Sequence, residues 1–439
     1  CGLPEWGPPK SWGEKPMKRM GFIATTLMLS AVTLTGASAE ALPENTIISK
    51  DNLQQSLDKT VDGTPVSDML ADGVGHLVSN YNLKLRIMDP TPWPRDPLMD
   101  RLTAANAGKI QLDPATKTPM NWVAGAPFPE VEIESDPKAG LKLIWNYTYG
   151  RQEGDSFYNP EFAMVLIDGT QGLDREQIWT QLSYKMVGRL VGNGHTAGNG
   201  TIFNKQLLFA LQPHDIEGLG TFAIRYVEPK LNDTWAYVRT VRRIRRLSGG
   251  AWMDPISGTD QLQDDFDIFN AHPAWYPSYK VLGRQKMLVS ANNPGPFLKG
   301  VLGLGVADER FPAVNLGEAP YWNPIAFWEP REVYIIEATP PEYHPYSKKI
   351  IYMDAEEYSL FLGEFFDRKG ERWKQMVQLF KVWGSPNNAT PERQIVRSGQ
   401  GHTIDLQRMH ATMYILDPKF NDPTVEEDSV SLRVLDGGR

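Results

Sequence analysis

The chain reads as an α+β protein built on one large antiparallel sheet, and three observations predict it. Ten segments rich in aliphatic and aromatic strand formers follow residue 128, separated by Gly, Pro and Asn/Asp clusters. Few helical patterns lie between them, which favours strands joined by turns over a doubly wound parallel sheet. The 34 prolines and 38 glycines leave little room for long uninterrupted helices.

Taken in order, residues 17–39 read as a secretory signal peptide. Lys18 and Arg19 supply the positive start, 22–34 is mostly apolar, and Ala37-Ser38-Ala39 presents the small-x-small cleavage pattern. The apolar run is broken by Thr25, Thr26, Ser30 and Thr33 and is shorter than the roughly 20 residues a membrane span needs. Export through the Sec route to the periplasm, with cleavage after Ala39, is therefore expected. Residues 1–16 precede Met17 and read as an over-extended gene start. They hold the only cysteine, Cys1, so the mature chain is expected to carry no disulfide and no cysteine-bound metal.

Residues 40–120 begin with helical spacing: Val66, Met69, Leu70, Val74, Leu77, Val78 and Tyr81 predict an amphipathic helix over 67–81. Pro90, Pro92, Pro94 and Pro97 then exclude regular structure, because each fixes its own φ and removes a donor. That stretch is expected to be a wrapping surface arm. The main domain is placed at 121–439. Its predicted strands are 141–147, 162–167, 206–211, 221–227, 234–238, 279–289, 333–338, 349–352, 374–382 and 409–416. Residues 290–332, which open with Asn292-Asn293-Pro294-Gly295-Pro296, read as an insertion or lid.

Composition narrows the function classes. With 41% hydrophobic and 10% aromatic residues, burial alone can hold the fold together. Residues 1–39 carry four positive and two negative charges, so the formal −8 of the whole becomes about −10 for the remainder. That sign argues against nucleic acid and against adhesion to acidic membrane surfaces. After the leader no run is long enough to span a bilayer, so the mature product is expected to be soluble.

Several stretches resemble a known family. Trp122-Val-Ala-Gly-Ala-Pro-Phe128-Pro129 and Asp136-Pro-Lys-Ala-Gly-Leu-Lys-Leu-Ile-Trp145-Asn146 resemble the opening of domain of unknown function 1329, a family of exported bacterial proteins. Asn232 to Ser248 with Gly258-Thr259-Asp260, and Pro330 to Tyr334, Glu337 to Pro340, Ile351 to Asp354 and Phe366 to Lys374, are similar to its centre and C-terminal half. The resemblance implies kinship with the periplasmic lipoprotein carriers and their outer-membrane acceptor, the Lol proteins. It implies a LolA-like fold: an antiparallel sheet curled into an open half-barrel, helices on its concave face, and a cavity for acyl chains. It also implies an export pump of the resistance–nodulation–division type and an outer-membrane barrel protein as partners. The family's name leaves the ligand open.

The candidate site residues follow from charge and ring patterning. Arg239, Arg242, Arg243, Arg245 and Arg246 crowd one strand, with Asp254, Asp260, Asp264, Asp265 and Asp267 downstream. Two readings stand: ion pairs that pin the following loop, or Arg242 and Arg243 at a cavity mouth holding an anionic headgroup. The aspartates lack the glycine and terminal glutamate of an EF-hand loop. The seven histidines make no HExxH, GxSxG is absent, and the glycine-rich 192–200 loop lacks the GK[ST] ending. No cofactor is expected. Trp145, Tyr147, Trp235, Tyr237, Trp322 and Trp328 are core residues or, in an incompletely filled barrel, the lining of an apolar cavity. These six with Arg242 and Arg243 are the predicted ligand-binding set. The leading expectation is a non-enzymatic carrier for a hydrophobic small molecule or lipid. A periplasmic enzyme on a hydrophobic substrate would instead gather ionisable groups deep in the pocket. An assembly factor would bind a barrel protein through a strand or the proline-rich arm.

Overall fold

The computed structural model describes residues 40–151, 153–190, 196–238, 242–256, 258–299, 307–384 and 394–437. The expected signal peptide, Arg239 and parts of the 192–200 loop and of 290–332 lie outside the described residues. Strand-forming residues separated by turns produce one 16-stranded sheet. Its principal strands are β1 (Ser156–Asp168), β2 (Gly172–Lys185), β3 (Ile202–Gln212), β4 (Gly220–Tyr226), β5 (Asp233–Val238), β6 (Arg243–Arg246) and β7 (Ser278–Val289). They continue with β8 (Phe327–Thr339), β9 (Tyr346–Asp354), β10 (Leu360–Asp367), β11 (Arg372–Gly384), β12 (Gln394–Asp405) and β13 (His410–Ile415). Spatially the order is β7-β8-β9-β10-β11-β12-β13-β1-β2-β3-β4-β5-β6, two meanders joined where β13 pairs with β1. Among the described strands β6 and β7 do not pair, so no closed barrel forms.

The expected antiparallel pattern holds along this whole order. The sheet as a whole is mixed, because the short strand Leu85–Ile87 pairs in parallel with Phe327 and Trp328 of β8. Among the described residues three helices reach ten residues or more: α1 (Asp72–Tyr81), α2 (Pro97–Asn106) and α3 (Ala139–Gly150). The helix expected over 67–81 is split, with a first turn at Val66–Met69 ending where Leu70 turns extended. The proline-rich arm lays Trp93 against Phe361 and Phe380, with ring centroids 5.4 and 5.5 Å apart. It ends at Asp96, whose carboxylate accepts from Leu98 N at 2.9 Å and caps α2.

Both faces of the sheet are covered, and the alternation of side chains assigns each residue to one of them. On β1, Ala163, Val165 and Ile167 enter the largest core, while Phe162, Met164 and Leu166 enter a second one behind the sheet. The first face is packed by α1, by the arm, and by Phe297, Phe311 and Trp322 of the 290–332 segment. The second face is packed by α3 and by residues 252–279. Here one expectation is corrected. Residues 141–147 are not a strand but the middle of α3, whose side chains are buried on nearly every side. Leu143, Ile144 and Tyr147 face one cluster, and Trp145 and Tyr149 face another. A helix wedged between two cores shows no polar stripe, so its composition reads as a strand.

Candidate ligand-binding cleft

On the second face connected cavities form a groove. Its buried end, about 70 Å³, lies between α3, strands β2 to β4 and the loop 266–271. Its middle, about 120 Å³, runs over β3 and β4 beneath Trp252, Ile256, Phe266 and Trp275. Gln181, Gln206, Arg225, Phe266 and Asn270 line both of these spaces. The middle opens at the sheet's edge past Asn232, Leu247 and Ser248, a mouth that continues into a wide depression of about 770 Å³ walled by Tyr226, Asp233 and Arg246 beside Trp235, on the opposite face.

Strand register builds the floor. Lys185, Asn204 and Arg225 sit side by side on β2, β3 and β4, followed by the rows Ser183, Gln206, Ala223 and Gln181, Leu208, Thr221. The alternate residues Leu182, Leu207, Phe222 and Trp235 point to the opposite face. The roof is the segment 252–276, fastened by a line of buried charges. Lys349 Nζ on β9 lies 2.9 Å from Asp264 and 3.1 Å from Asp265. Tyr346 donates to Asp265 at 2.6 Å, and His344 Nε2 stands 3.2 Å from Asp264. Asp260 receives His410 Nδ1 at 2.6 Å and the Thr412 hydroxyl at 2.7 Å. Burial pushes the Asp264 carboxyl up, but Lys349, His344 and Tyr276 outweigh it and hold it below the ordinary carboxylate range.

The buried end of the groove holds a second charge cluster. Arg151, at the end of α3, touches Glu153 at 2.8 Å and Asp267 at 3.4 Å. Arg397 on β12 touches the same two acids at 3.2 and 2.6 Å. Two guanidinia and two carboxylates thus close a neutral ring. Burial raises Glu153 and Asp267, yet the two arginines prevail and keep both below their usual range. Two further cations face the same space. Lys185 is lowered by burial, against the attraction of Glu153 and Asp155. Arg225, lowered by burial too, donates to Asn270 Oδ1 at 2.8 Å and to its carbonyl at 2.9 Å.

The predicted residues fall in different places. Tyr147 lines the buried end and donates to Phe269 O at 2.9 Å. Trp145 lies behind it, donating to Lys117 O at 2.9 Å and edge-on to His272. Trp145 and Tyr147 do not share a face, since two residues apart on a helix point to opposite sides. Trp235 and Tyr237 do share one, but it is the face away from the groove, where Tyr237 packs with Val425, Val430 and Leu435. Trp322 and Trp328 are fully buried in the largest core on that side. Arg242 and Arg243 are exposed, and Arg246, paired with Asp233 of the neighbouring strand, lies over the Trp235 ring on the face away from the groove.

The aspartates downstream of the arginine run are a correction. Asp260, Asp264, Asp265 and Asp267 pair with His410, Lys349 and Arg397, not with the arginines of β6. A solvated edge strand gives buried carboxylates no compensation, whereas cations arriving from β9, β12 and β13 do. Sequence reasoning missed Arg151, Glu153, Lys185, Arg225 and Arg397. They are scattered over more than two hundred positions, and only the folded sheet brings them together. Among the described residues no group of three or more His, Cys, Asp or Glu is placed to hold a metal, and no helix is long and apolar enough to cross a membrane.

Comparison with known proteins gives one family. The model of the family "protein of unknown function (DUF1329)" matches residues 47–430. An uncharacterised protein of Pseudomonas aeruginosa is 24% identical over 264 residues, 58% of this chain and 52% of that protein. The chain thus spans about half the length of this curated relative. Among solved structures, a domain from Vibrio parahaemolyticus described as an outer membrane lipoprotein-sorting protein domain is 16% identical, with a TM-score of 0.47. It covers 69% of this chain and 100% of that one. A DUF1329 family protein from Desulfovibrio piger is 15% identical, with a TM-score of 0.45 over 69% of this chain and 100% of its own. A LolA superfamily protein from Nitrosomonas europaea is 12% identical, with a TM-score of 0.39 over 68% and 98%.

Proposed function

The chain belongs to the DUF1329 family, and from that premise we propose that it is a periplasmic carrier that holds a hydrophobic, lipid-like molecule without chemistry on it. The observation that carries the reading is the groove. Adjoining cavities run from a charged end, past Phe162, Met164, Leu208, Trp252 and Ile256, to the open edge of the sheet, and Arg225 and Asn270, hydrogen-bonded to each other, line both of the first two. The two enclosed parts fall below the roughly 300–1,000 Å³ of pockets that swallow a whole ligand. They take the leading end of a chain, and the rest lies in the mouth. Burying about six methylenes there contributes about 5 kcal/mol before the costs of ordering. In this reading the sheet is a half-barrel with α3 and the 252–276 roof on its concave side. The protein would receive cargo from an inner-membrane exporter of the resistance–nodulation–division type and deliver it to an outer-membrane barrel protein.

The ionisable cluster at the buried end favours a second reading, an enzyme. Its carboxylates, however, are each paired with two guanidinia and held below their usual range, which leaves them no proton to donate and makes them weak bases, so binding is the better account. Native mass spectrometry of protein purified from its own periplasm tests this: an apolar molecule should copurify and be displaced by a fluorescent fatty acid. Protein that carries nothing and takes up no apolar probe would refute it.

A further inference from the structure

Burying a charge is tolerated only when something answers it. In the groove's buried end, Arg151 and Arg397 answer Glu153 and Asp267 within the ring already described, and that ring is complete. Asp155 is occupied on one oxygen by Leu190 N at 2.8 Å. Four cations therefore face three carboxylates across this space. Among the described residues Lys185, 6% exposed, is in no ion pair, and Arg225 donates to the neutral Asn270 and to no carboxylate. The register aligns these two on β2 and β4 with Asn204 between them, roughly 10 Å apart at the usual strand spacing, on one face. Two long cationic side chains at that separation converge on a small anion lying between them. Arg225 also stands at the junction, lining the middle cavity whose walls are Phe162, Met164, Leu208, Trp252 and Ile256. A charged end thus meets a cavity in which these apolar walls alternate with the uncharged Gln181, Gln206, Thr221 and Gln263, so charge falls away from head to tail as it does in an amphiphile.

We infer that the cargo is an anionic amphiphile whose carboxylate or phosphate head lies at the buried end of the groove, between Lys185 and Arg225, with its tail running under Trp252 toward the mouth. The inference rests on the carrier reading and narrows it to a ligand class. It also moves the anion-holding role from Arg242 and Arg243, which are exposed, to two residues at the opposite end of the groove.

The test uses the mature chain and compares dodecanoate, dodecyl phosphate, dodecanol and dodecyltrimethylammonium, all below their micelle concentrations, with inorganic phosphate as the tailless control. Calorimetry and tryptophan fluorescence read the affinities. A charged hydrogen bond is worth enough to give the two anions at least about a tenfold advantage over dodecanol. Arg225→Gln and Lys185→Gln should each remove about tenfold of anion affinity and leave dodecanol unchanged, while Arg225→Lys restores most of it. Melting temperatures show whether each variant is folded, and dodecanol binding shows whether its groove is intact. Equal affinity for dodecanol and the anions, insensitive to both Gln variants, overturns the head assignment and leaves the carrier reading standing. Inorganic phosphate binding as tightly as dodecyl phosphate overturns it in favour of a plain small-anion site. If none of the four dodecyl compounds binds, the carrier reading falls as well.

Discussion

Replacing Lys349 by methionine keeps most of the side-chain volume and removes the charge that fastens the roof to the sheet. Lys349 is fully buried, touches both Asp264 and Asp265, and donates to the carbonyls of Asp264 and Ile268 at 3.1 and 3.2 Å. Lys374 Nζ stands 3.7 Å from Asp265 and cannot replace it. Removing one partner of a buried pair is worth about 3–5 kcal/mol of stability, because the remaining charge is left in a dry interior. For about 400 residues the unfolding entropy near 2.1 cal/mol/K per residue converts this to roughly 4–6 °C in melting temperature. The pH dependence has a definite sign. Without Lys349 an aspartate in the pair is raised above its unfolded value and takes up a proton in the folded state. The deficit relative to wild type is then largest at pH 8 and shrinks toward pH 5. Thermal melts of both proteins at the two pH values measure it. A variant as stable as wild type at pH 8, or one with the same deficit at both, refutes the claim that this charge fastens the roof.

Glu329 is 2% exposed and its pKa is pushed up to about 7, first by burial, against Asn292 and Arg331. The folded protein holds that proton after the unfolded chain has lost it, so stability falls as pH rises from about 4.5 through 7. Glu329→Gln should melt with wild type at pH 4.5 and above it at pH 8. His272 and His402 are lowered by burial to about 4, and His402 is held neutral between Trp322 O and Gln400, each at 2.7 Å. The unfolded chain protonates them first, so in the Glu329→Gln background, where the opposing Glu329 contribution is gone, stability should drop as pH falls from about 6.5 toward 4, and a flat melting profile of that variant over the window would contradict it. Asn146 on α3 accepts from Phe128 N at 2.8 Å and donates to Phe128 O at 2.7 Å, fully buried. Asn146→Ala leaves both backbone groups unanswered and should cost about 2–4 kcal/mol in a denaturant titration.

The sheet was legible where a strand has one apolar face or a run of β-branched and aromatic residues, as in β1, β8 and β11. It was not legible in β12. That strand is almost wholly buried, yet Gln394-Ile-Val-Arg-Ser-Gly-Gln-Gly-His-Thr-Ile-Asp405 reads as polar loop. Gly399 and Gly401 are there because Phe297 and Tyr414 lie where a Cβ would stand, and Gln400 and His402 are joined through Gln400 Nε2 and His402 Nε2. Strands β2 and β10 were missed as well; β2 alternates floor residues such as Gln181, Ser183 and Lys185 with apolar ones. Trp235 and Tyr237, two apart on a strand, share one face by alternation alone. Which face could not be read, because that depends on the C-terminal residues Val425 to Leu435 folding back over it. The charge clusters were invisible for a simpler reason. Each depends on at least one pair of partners more than eighty positions apart, such as Lys349 with Asp264 or Arg397 with Glu153, and local spacing records nothing of such encounters.

The roof's attachment is lopsided. Asp260, Asp264 and Asp265 tie its middle to β13, β9 and β11, whereas Leu247 and Ser248, which precede it at the groove's open edge, are exposed, with Leu247 N donating to Thr234 O. A plate held along one side swings about that side. In the carrier reading proposed above, widening of the passage would pivot on the ionic seam and begin beside β5 and β6, so that cargo would enter at the sheet's free margin.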